Sequence, residues 1–322
     1  MLEEKPARLQ PDIDSMVTVV VPTLNEEEGI ARVIQELQSV GMRNILVIDG
    51  YSRDKTVEIA KKSGANILFQ QGRGKTGAIK TAIDRVETPY ILVIDGDFTY
   101  DASSIARLLQ HMQYYDEVIG ARKATDPKSM SGLHKFGNRV ITRLFNLMMN
   151  TGLSDVCSGL YLLKTDTMRE INLSTAGFDV EVEIAAQVAT AGRITEVPID
   201  YRPRLGRQKL STWKSGFRIV RSIFGLARSY NPGVFYSMLG SLLLIPAAVL
   251  LAISMLQWMV SSELSNSWFF VGLSMLMVAI QSMSVGVVSL VMRRAELRIN
   301  RRLNMLTGGR QIASQTRLSE KL

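Results

Sequence analysis

The sequence contains very few of the residues that most often carry redox or acid–base chemistry. Its 322 residues include one cysteine, Cys157, and two histidines, His111 and His134. A single cysteine cannot form an internal disulfide, which fits a reducing cytosol. No catalytic triad is recognisable, and each histidine is interpreted as a surface helix residue. A disulfide scaffold is therefore excluded, and a triad mechanism is disfavoured.

Charge is absent from two long stretches in the last third of the chain. Residues 234–260 and 268–292 contain no Asp, Glu, Lys or Arg. Each stretch is longer than the roughly 20 apolar residues that cross a bilayer as a helix. A buried hairpin of a soluble protein is the alternative, but two such runs in succession favour a membrane protein. The interpretation is a transmembrane hairpin over residues 231–292.

Positive charge is concentrated on both sides of this hairpin. Residues 201–230 carry eight Lys or Arg and no acid, and residues 293–322 carry eight Lys or Arg against two Glu. The loop between the runs has one charge, Glu263, so the positive-inside rule predicts cytosolic ends and an external loop. Residues 1–200 have a net charge of −5, although the whole chain has +8. Anionic lipid is therefore the predicted partner of the basic residues, and nucleic acid is not.

The segment just before the hairpin has an amphipathic helical pattern. Over residues 213–230 the apolar side chains fall on one helical face and the basic side chains fall largely on the opposite face. This pattern predicts a helix that lies in the membrane surface. A soluble helix with a solvated basic face is the alternative, and the span that follows directly favours the membrane interpretation.

The first part of the chain alternates short apolar runs with amphipathic ones, which predicts an α/β fold. Runs rich in Val and Ile, separated by helices, indicate a parallel sheet covered on both faces. The predicted strands cover 17–22, 44–49, 66–69, 90–95 and 116–121, and the predicted helices cover 27–40, 54–63, 76–86 and 103–112. The sequence LVIDG ends two of these strands, at 46–50 and 92–96. Ligands bind at the carboxyl edge of such sheets, so both endings are candidate site segments.

The pattern is looser after residue 121. Residues 123–132 are polar and are predicted to form a mobile loop. The remaining predicted elements are a helix over 134–149, a strand over 157–163, a helix over 179–191 and a strand over 194–201. The first sixteen residues are polar, show no signal peptide and are interpreted as a loose leader.

The sequence Asp95-Gly-Asp97 follows a predicted core strand directly. Buried carboxylates are costly unless they are paired, hydrogen-bonded or bound to a metal. Two carboxylates separated by a glycine can share a divalent cation, and Mg²⁺ typically bridges one or two carboxylates to substrate phosphates. A turn, or a helix N-cap at Asp101 or Ser103, is the structural alternative. The position at a strand end favours the metal site.

Two common nucleotide-binding patterns are missing. GRGKT at 72–76 resembles the end of a P-loop, but Phe69 stands where the pattern requires glycine. The first strand is followed by PTLNEEEG rather than by a G-x-G-x-x-G fingerprint. A P-loop NTPase and a Rossmann dehydrogenase are therefore both disfavoured. Gly72, Gly74 and Lys75 are expected either near an anionic ligand or as a flexible start of the next helix.

A set of motifs in a fixed order resembles family 2 glycosyltransferases, and within them the polyprenyl-phosphate group that includes dolichol-phosphate mannose synthase. The resemblance covers residues 17–212 almost throughout. The matching motifs are PTLNE (22–26), VIDG-x-S-x-D-x-T (47–56), GRGK (72–75), DGD (95–97), GAR (120–122), D-x-x-SG (155–159), GFDVEVE (177–183) and RQKL (207–210). Each motif is loose alone, but eight in the right order are specific.

The resemblance implies a GT-A fold, which is Rossmann-like and binds a nucleotide sugar, and inverting transfer of the sugar to a lipid phosphate. The implied organisation is a polar leader (1–16), a GT-A domain (17–212), an interfacial amphipathic helix (213–230), a two-helix transmembrane hairpin (231–292) and a basic cytosolic tail (293–322). The implied donor is GDP-mannose or a UDP-sugar, and the implied acceptor is dolichyl or another polyprenyl phosphate. The implied cofactor is Mg²⁺ or Mn²⁺. A homo-oligomer is left open.

The site residues carried over from the resemblance fall into four groups. Asp97, Arg122 and Lys209 are the expected catalytic residues. The expected nucleotide-sugar-binding residues are Pro22, Leu24, Glu26, Ile48, Asp49, Lys75, Asp95, Gly96 and Arg204. The expected metal ligands are Asp95, Asp97 and Thr99. Arg122, Lys135 and Arg139 are the expected contacts of the lipid phosphate. Of these, only Arg122 matches a family motif; Lys135 and Arg139, like Lys128, are basic residues near it, and a solvated surface role is their alternative.

The sequence departs from the family pattern at two positions. The relatives often have Gln as a metal ligand where Thr99 stands, and an arginine where Tyr161 stands. Mannose, glucose and N-acetylglucosamine therefore all remain open as the sugar. A processive polysaccharide synthase is disfavoured, because its Q-x-x-R-W motif is absent and two spans give little material for a polymer channel. A non-catalytic membrane scaffold is also disfavoured, because it would not need Asp49, Asp95, Asp97, Arg122 and Lys209 together.

Overall fold

The computed structural model describes residues 13–124, 132–173, 180–206, 224–225, 227–228, 231–261 and 266–319. The chain divides into two compact units, Met1–Leu226 and Ala227–Leu322. Most of the predicted interfacial helix lies outside the described residues, and residues 224–225 and 227–228 within it are helical. Lys128 and Lys209 also lie outside the described residues.

The first unit is built around one seven-stranded sheet, whose order is β3-β2-β1-β4-β6-β5-β7. The strands are β1 (Val17–Thr23), β2 (Ile45–Asp49), β3 (Asn66–Phe69), β4 (Tyr90–Val93), β5 (Glu117–Ala124), β6 (Tyr161–Lys164) and β7 (Ile194–Tyr201). The helices are α1 (Ile13–Met16), α2 (Ile30–Ser39), α3 (Thr56–Lys62), α4 (Gly74–Ile83), α5 (Ile105–Leu109), α6 (Gly132–Met149), α7 (Thr165–Glu170) and α8 (Val180–Ala191). A 3₁₀ turn over Ala102–Ser104 precedes α5.

The strands predicted in the first part of the chain, β1 to β5, run in the same direction, as expected for a parallel sheet, but the complete sheet is mixed. Strand β6 lies between β4 and β5 and is antiparallel to both, whereas the other neighbouring strands pair in parallel. Buried strands of either direction are apolar on both faces, so composition could not reveal this reversal. Strand β6 also begins at Tyr161, four residues later than predicted, and helix α7 follows it directly without having been predicted.

The reversal brings the site segments to one edge of the sheet. The last residues of β1, β2 and β3 are in register, with Thr23 beside Asp49 and Asp49 beside Phe69. Val93, which ends β4, pairs with Tyr161, which begins β6. Because β6 runs backwards, the residues that precede it lie at the same edge as the residues that follow β4.

Helix α2 shows how the flanking layers are packed against the sheet. Its apolar residues Ile30, Val33, Ile34 and Leu37 recur at helical spacing and are 0–3% exposed. Burial of such a stripe is what holds an amphipathic helix in place. Gly29, just before α2, approaches the acidic loop closely, because a Cβ there would lie 2.8 Å from the carbonyl oxygen of Gly96.

The second unit contains two long helices, α9 (Pro232–Ser261) and α10 (Asn266–Ser319). Pro232–Val260 and Ser267–Met292 are each long and apolar enough to cross a membrane, with 29 and 26 residues. The helices pack closely at glycines: a Cβ on Gly240 would lie 2.8 Å from the carbonyl oxygen of Ala279. Small residues allow such close approach between helices in membranes. Helix α10 continues beyond the apolar segment through most of the predicted basic tail.

Candidate active site

The acidic loop after β4 contains Asp95, Gly96 and Asp97, all predicted as site residues. A Cβ on Gly96 would lie 2.8 Å from the Thr23 methyl group, so the loop packs tightly against the end of β1. Phe98, the next residue, has a φ of +64°, which is uncommon for a side chain of this size. Strain of this kind is concentrated at functional sites.

Lys75 lies at the centre of a buried ionic cluster. Its Nζ is 2.5 Å from Asp95 Oδ1 and also forms an ion pair with Glu181 at the start of α8. Burial alone would disfavour the ammonium, but the charges of Asp95 and Glu181 outweigh it and raise the Lys75 pKa well above its usual value. Burial raises the pKa of Glu181, and Lys75 opposes that increase. Lys75 therefore holds one carboxylate of the acidic loop in place.

Asp97, the second carboxylate of the acidic loop, is held by Thr99 and Arg204. Thr99 donates to Asp97 Oδ1 from its hydroxyl (2.6 Å) and from its backbone N–H (3.2 Å), and Arg204 Nη1 lies 3.1 Å from Asp97 Oδ2. Burial, and then the charge of Asp95, raise the pKa of Asp97 despite these partners. Thr99, an expected metal ligand, orients Asp97 in this arrangement.

The segment after β7 is hydrogen-bonded to the acidic loop. The backbone N–H of Arg202 donates to the Thr99 carbonyl at 2.8 Å, and the N–H of Leu205 donates to the Asp97 carbonyl at 3.2 Å. Arg204 then reaches both Asp97 and Glu26, whose Oε1 is 2.5 Å from Arg204 Nη2. Arg204 thus joins Glu26, which was also expected at the nucleotide sugar, to Asp97, which was expected as a catalytic residue and metal ligand.

Arg122 leaves the end of β5 and pairs with Asp155. The contact is bidentate, with Nε at 2.6 Å from Oδ2 and Nη2 at 2.9 Å from Oδ1. Burial opposes the charge on the guanidinium, but Asp155 outweighs it and raises the Arg122 pKa well above its usual value. Asn138 on α6 donates to Asp155 Oδ1 at 2.9 Å, and a cavity of about 260 Å³ opens beside Arg122.

Asp49 organises the loop after β2. Its buried carboxylate accepts hydrogen bonds from the Ser52 N–H (2.8 Å), the Ser52 hydroxyl (2.5 Å) and the Thr23 hydroxyl (3.3 Å). Ile48 is also fully buried in β2. Ser52 in turn accepts from the backbone N–H of Asn25, which ties the loops after β1 and β2 together. The expected direct contact of Asp49 and Ile48 with a base stays a prediction.

An exposed aromatic pair stands beside this loop. Tyr51 and Phe69 stack with ring centroids 5.5 Å apart, although they are 63% and 52% exposed. Leu24, an expected nucleotide contact, is 44% exposed, and Pro22 is half-buried. Exposed aromatic faces are surfaces on which nucleobases stack. The pair was not predicted from the sequence, because Tyr51 lies inside the polar loop motif and Phe69 was interpreted only as a strand residue.

The donor set of the acidic loop fits a divalent cation. Asp95 and Asp97 are close enough for the charge of one to raise the pKa of the other, and Asp97 is 8% exposed. Bound positive charge would relieve this repulsion. No cluster of three His, Cys, Asp or Glu side chains that could hold a metal occurs among the described residues. The pair of carboxylates Asp95 and Asp97 is the donor set expected for Mg²⁺, which is bound through one or two carboxylates together with substrate phosphates.

Two predicted residues lie outside the acidic loop, and two acidic residues of the site were not predicted. Lys135 and Arg139 lie on α6 rather than among the residues of the acidic loop. Glu181 and Asp155, which hold Lys75 and Arg122, were not predicted as site residues, although both belong to motifs of the resemblance. A buried lysine or arginine needs an acidic partner. The acidic residues in the other motifs were therefore the available signal for Glu181 and Asp155.

Comparison with known proteins decides the family. The model of "Glycosyl transferase family 2" matches residues 18–171. Glycosyltransferase AglJ of Haloferax volcanii is 32% identical over 279 residues, which are 85% of this chain and 92% of that protein. The chain belongs to glycosyl transferase family 2. A dolichyl-phosphate hexose transferase of the same organism is 30% identical over 64% of this chain and 92% of its own length.

The fold of this family 2 chain also has solved counterparts. Glucosyl-3-phosphoglycerate synthase of Mycobacterium tuberculosis, solved with Mn²⁺, UDP-glucose and phosphoglyceric acid, matches with a TM-score of 0.56. The match covers 67% of this chain and 81% of that one, at 18% identity. The predicted GT-A fold is thereby confirmed, and the family 2 domain is followed by two helices long and apolar enough to cross a membrane.

Proposed function

We propose that the chain is a membrane-bound, inverting hexosyltransferase that uses a nucleotide sugar to glycosylate dolichyl or another polyprenyl phosphate. The product is a lipid-linked sugar for glycosylation. The observation that carries the proposal is the acidic loop, where Asp95 and Asp97 are held by Lys75 and Arg204 at the carboxyl edge of the sheet. The name of the dolichyl-phosphate hexose transferase to which the chain is similar supports the acceptor class.

The donor diphosphate is assigned to the acidic loop. Asp95 and Asp97 would hold Mg²⁺ or Mn²⁺, and the bound cation would supply neutralising charge to the leaving diphosphate. Arg204 lies beside Asp97 and can turn from Glu26 toward an added phosphate. Lys75 is paired twice and buried, so its role is to position Asp95 rather than to bind phosphate itself.

The nucleobase is assigned to the edge formed by the ends of β2 and β3. Tyr51 and Phe69 offer an exposed aromatic face there. Stacking of a base on such a face contributes about 1–3 kcal/mol. Phe69→Ala is therefore expected to weaken nucleotide-sugar binding by roughly 5- to 150-fold, since 1.4 kcal/mol corresponds to a factor of ten.

The transfer itself requires no general base. A phosphate monoester has a second pKa of about 6, so the acceptor is an anion at neutral pH. One of its oxygens attacks the anomeric carbon, the bond from that carbon to the diphosphate oxygen breaks, and the nucleoside diphosphate leaves with the electron pair. Arg122 is assigned to the acceptor phosphate, held ready by Asp155 beside the cavity. Lys209, outside the described residues, is assigned to the phosphates by the resemblance.

The membrane assignment follows from the two apolar helices and the charge around them. Basic residues before the first apolar run and after the second favour the cytosolic leaflet for the catalytic unit. A polyprenyl phosphate exposes its phosphate at the headgroup level, where a membrane-anchored GT-A unit would meet it.

The test is transfer from a panel of radiolabelled nucleotide sugars, including GDP-mannose, UDP-glucose and UDP-N-acetylglucosamine, to dolichyl and undecaprenyl phosphate by detergent-purified full chain. Label entering the lipid from one donor, with Mg²⁺ or Mn²⁺ and not with a chelator, is the expected result. Nucleotide binding without transfer from any donor would instead indicate the scaffold.

A matched pair of variants ties transfer to the acidic loop. Asp97→Asn is expected to lose at least about 100-fold in rate, because metal stabilisation of the leaving charge contributes several kcal/mol. Asp166→Asn removes a carboxylate whose side chain is 94% exposed, and it should leave the rate unchanged. Full activity in Asp97→Asn would contradict the assignment.

A further inference from the structure

Helix α6 has an apolar outer face that nothing in the proposed reaction explains. Phe136, Val140 and Leu147 are 64%, 41% and 58% exposed. The opposite side of the helix is in the core, where Phe145 and Met148 are completely buried. Three large apolar side chains exposed along one stripe are unusual for a surface that faces only water.

The exposed residues share one side of the helix. At 3.6 residues per turn, Phe136, Arg139, Val140, Arg143 and Leu147 fall within an arc of about 100°, and the apolar three extend over about 16 Å of the axis. Arg139 and Arg143 are both exposed. These five residues are called the outer face of α6.

The charge on α6 has one sign. Its sequence GLHKFGNRVITRLFNLMM contains Lys135, Arg139 and Arg143 and no acidic residue. An apolar stripe flanked by basic side chains is the pattern of helices that lie in a membrane interface, where arginines meet anionic headgroups. A second copy of the same face would bring arginines against arginines, so self-association is disfavoured.

The inner side of α6 reaches the active site directly. Asn138 donates to the Asp155 carboxylate that holds Arg122, and the Thr142 hydroxyl accepts from the N–H of Val156 at 3.4 Å. A helix with its side chains is about 10–12 Å across. A lipid surface on the outer face would therefore lie one helix diameter from the arginine assigned to the acceptor phosphate.

We infer that the outer face of α6 is a second membrane contact, separate from the two apolar helices, and that it lies on the anionic surface of the bilayer. The apolar side chains enter the headgroup boundary, and Arg139 and Arg143 bind lipid phosphates. The inference rests on the proposed membrane attachment, but it does not depend on which sugar is transferred.

The experiment places a nitroxide at single positions of the full chain in lipid nanodiscs. Cys157→Ser supplies the background, and the labels are introduced at Leu147→Cys, at Tyr114→Cys and at Ile245→Cys. Tyr114 is a 62% exposed control in the same unit as α6, and Ile245 is a 70% exposed control within the first apolar helix. The readout is collision with oxygen, which dissolves in lipid, relative to collision with an aqueous nickel chelate.

With phosphatidylglycerol present, the oxygen-to-nickel ratio at 147 should exceed that at 114 several-fold. Arg139→Gln with Arg143→Gln should shift residue 147 toward the ratio at 114, as should discs of phosphatidylcholine alone. A ratio at 147 equal to that at 114, while 245 reports lipid, would overturn the inference and leave the membrane attachment intact. Water-like ratios at both 147 and 245 would overturn the attachment as well. Dipolar broadening between labels at 147 would assign the face to a second copy and also overturn the inference.

Discussion

At the scale of single residues, the site is organised by buried or half-buried cations that each pair with one or two acids. Lys75 holds Asp95 and Glu181, Arg122 holds Asp155, and Arg204 bridges Glu26 and Asp97. Removing one partner of such a pair leaves a buried charge without compensation, which costs more than the pair contributes. The sequence identified the cations through motifs but missed the acids Glu181 and Asp155, because pairing across the fold has no local signature.

Lys75→Met is expected to destabilise the full chain by about 3 kcal/mol, because two carboxylates lose their shared cation. Glu181 is nearly buried and Asp95 is partly exposed, so most of the cost should come from Glu181. Thermal unfolding in detergent measures the effect. The double variant Lys75→Met/Glu181→Gln should recover part of the loss. A double variant no more stable than Lys75→Met would show that the cluster does not control stability.

Glu117 gives the chain a pH-dependent stability. Burial, and then the charge of Glu181, raise the pKa of Glu117 from 4.5 to about 8, and its Oε2 has no hydrogen-bond partner. Between these two values the folded chain binds a proton that the unfolded chain has lost, so folding becomes less favourable as the pH rises, by about 1.4 kcal/mol per pH unit.

The melting temperature of Glu117→Gln should therefore exceed that of the unsubstituted chain by a margin that grows from pH 4.5 to pH 8 and is constant above it. Asp166→Asn, at a side chain that is 94% exposed, is the matched control and should show no such growth. A margin independent of pH would mean that Glu117 is ionised throughout this range.

At the scale of secondary-structure elements, the sequence predicted the parallel strands β1 to β5, but it predicted no direction for β6. The strands and helices from β1 to β4 were recognisable from their apolar periodicity, and their ends lie within a few residues of the predicted ends. The reversal of β6 was not predictable, because a four-residue buried strand has the same composition in either direction. The acidic loop was predictable because Asp95 and Asp97 interrupt the apolar pattern directly after a core strand. Such a local conflict between sequence and burial is expected at a functional site.

The hairpin of α9 and α10 depends on glycines at its contact. A Cβ on Gly240 would lie 2.5 Å from Met283 Cγ and 2.8 Å from the Ala279 carbonyl oxygen. Gly240→Val should therefore cost about 1–3 kcal/mol through overpacking and lower the melting temperature in detergent. Leu242→Val introduces the same side chain at a 71% exposed position and should change little. Equal melting temperatures for the two variants would argue against this packing in the purified protein.

At the scale of the whole molecule, charge and hydropathy are divided between the parts of the chain. The acidic first 200 residues contain the sheet and its acidic loop, and the basic residues flank the two apolar helices. This division puts the acidic loop in the first unit and two helices long and apolar enough to cross a membrane in the second. The division of charge and hydropathy was predictable from the sequence alone, since neither the apolar runs nor the flanking charge depends on tertiary structure.

The central claim is transfer of one hexosyl group to a lipid phosphate, and the most direct measurement is the mass of the lipid product. The full chain in nanodiscs is given a nucleotide sugar, Mn²⁺ and either polyprenyl phosphate or the matched unphosphorylated polyprenol. The account predicts that polyprenyl phosphate gains the mass of one hexosyl residue and that polyprenol gains none. Modification of polyprenol, several sugars on one lipid, or an unmodified polyprenyl phosphate with every hexose donor would contradict it.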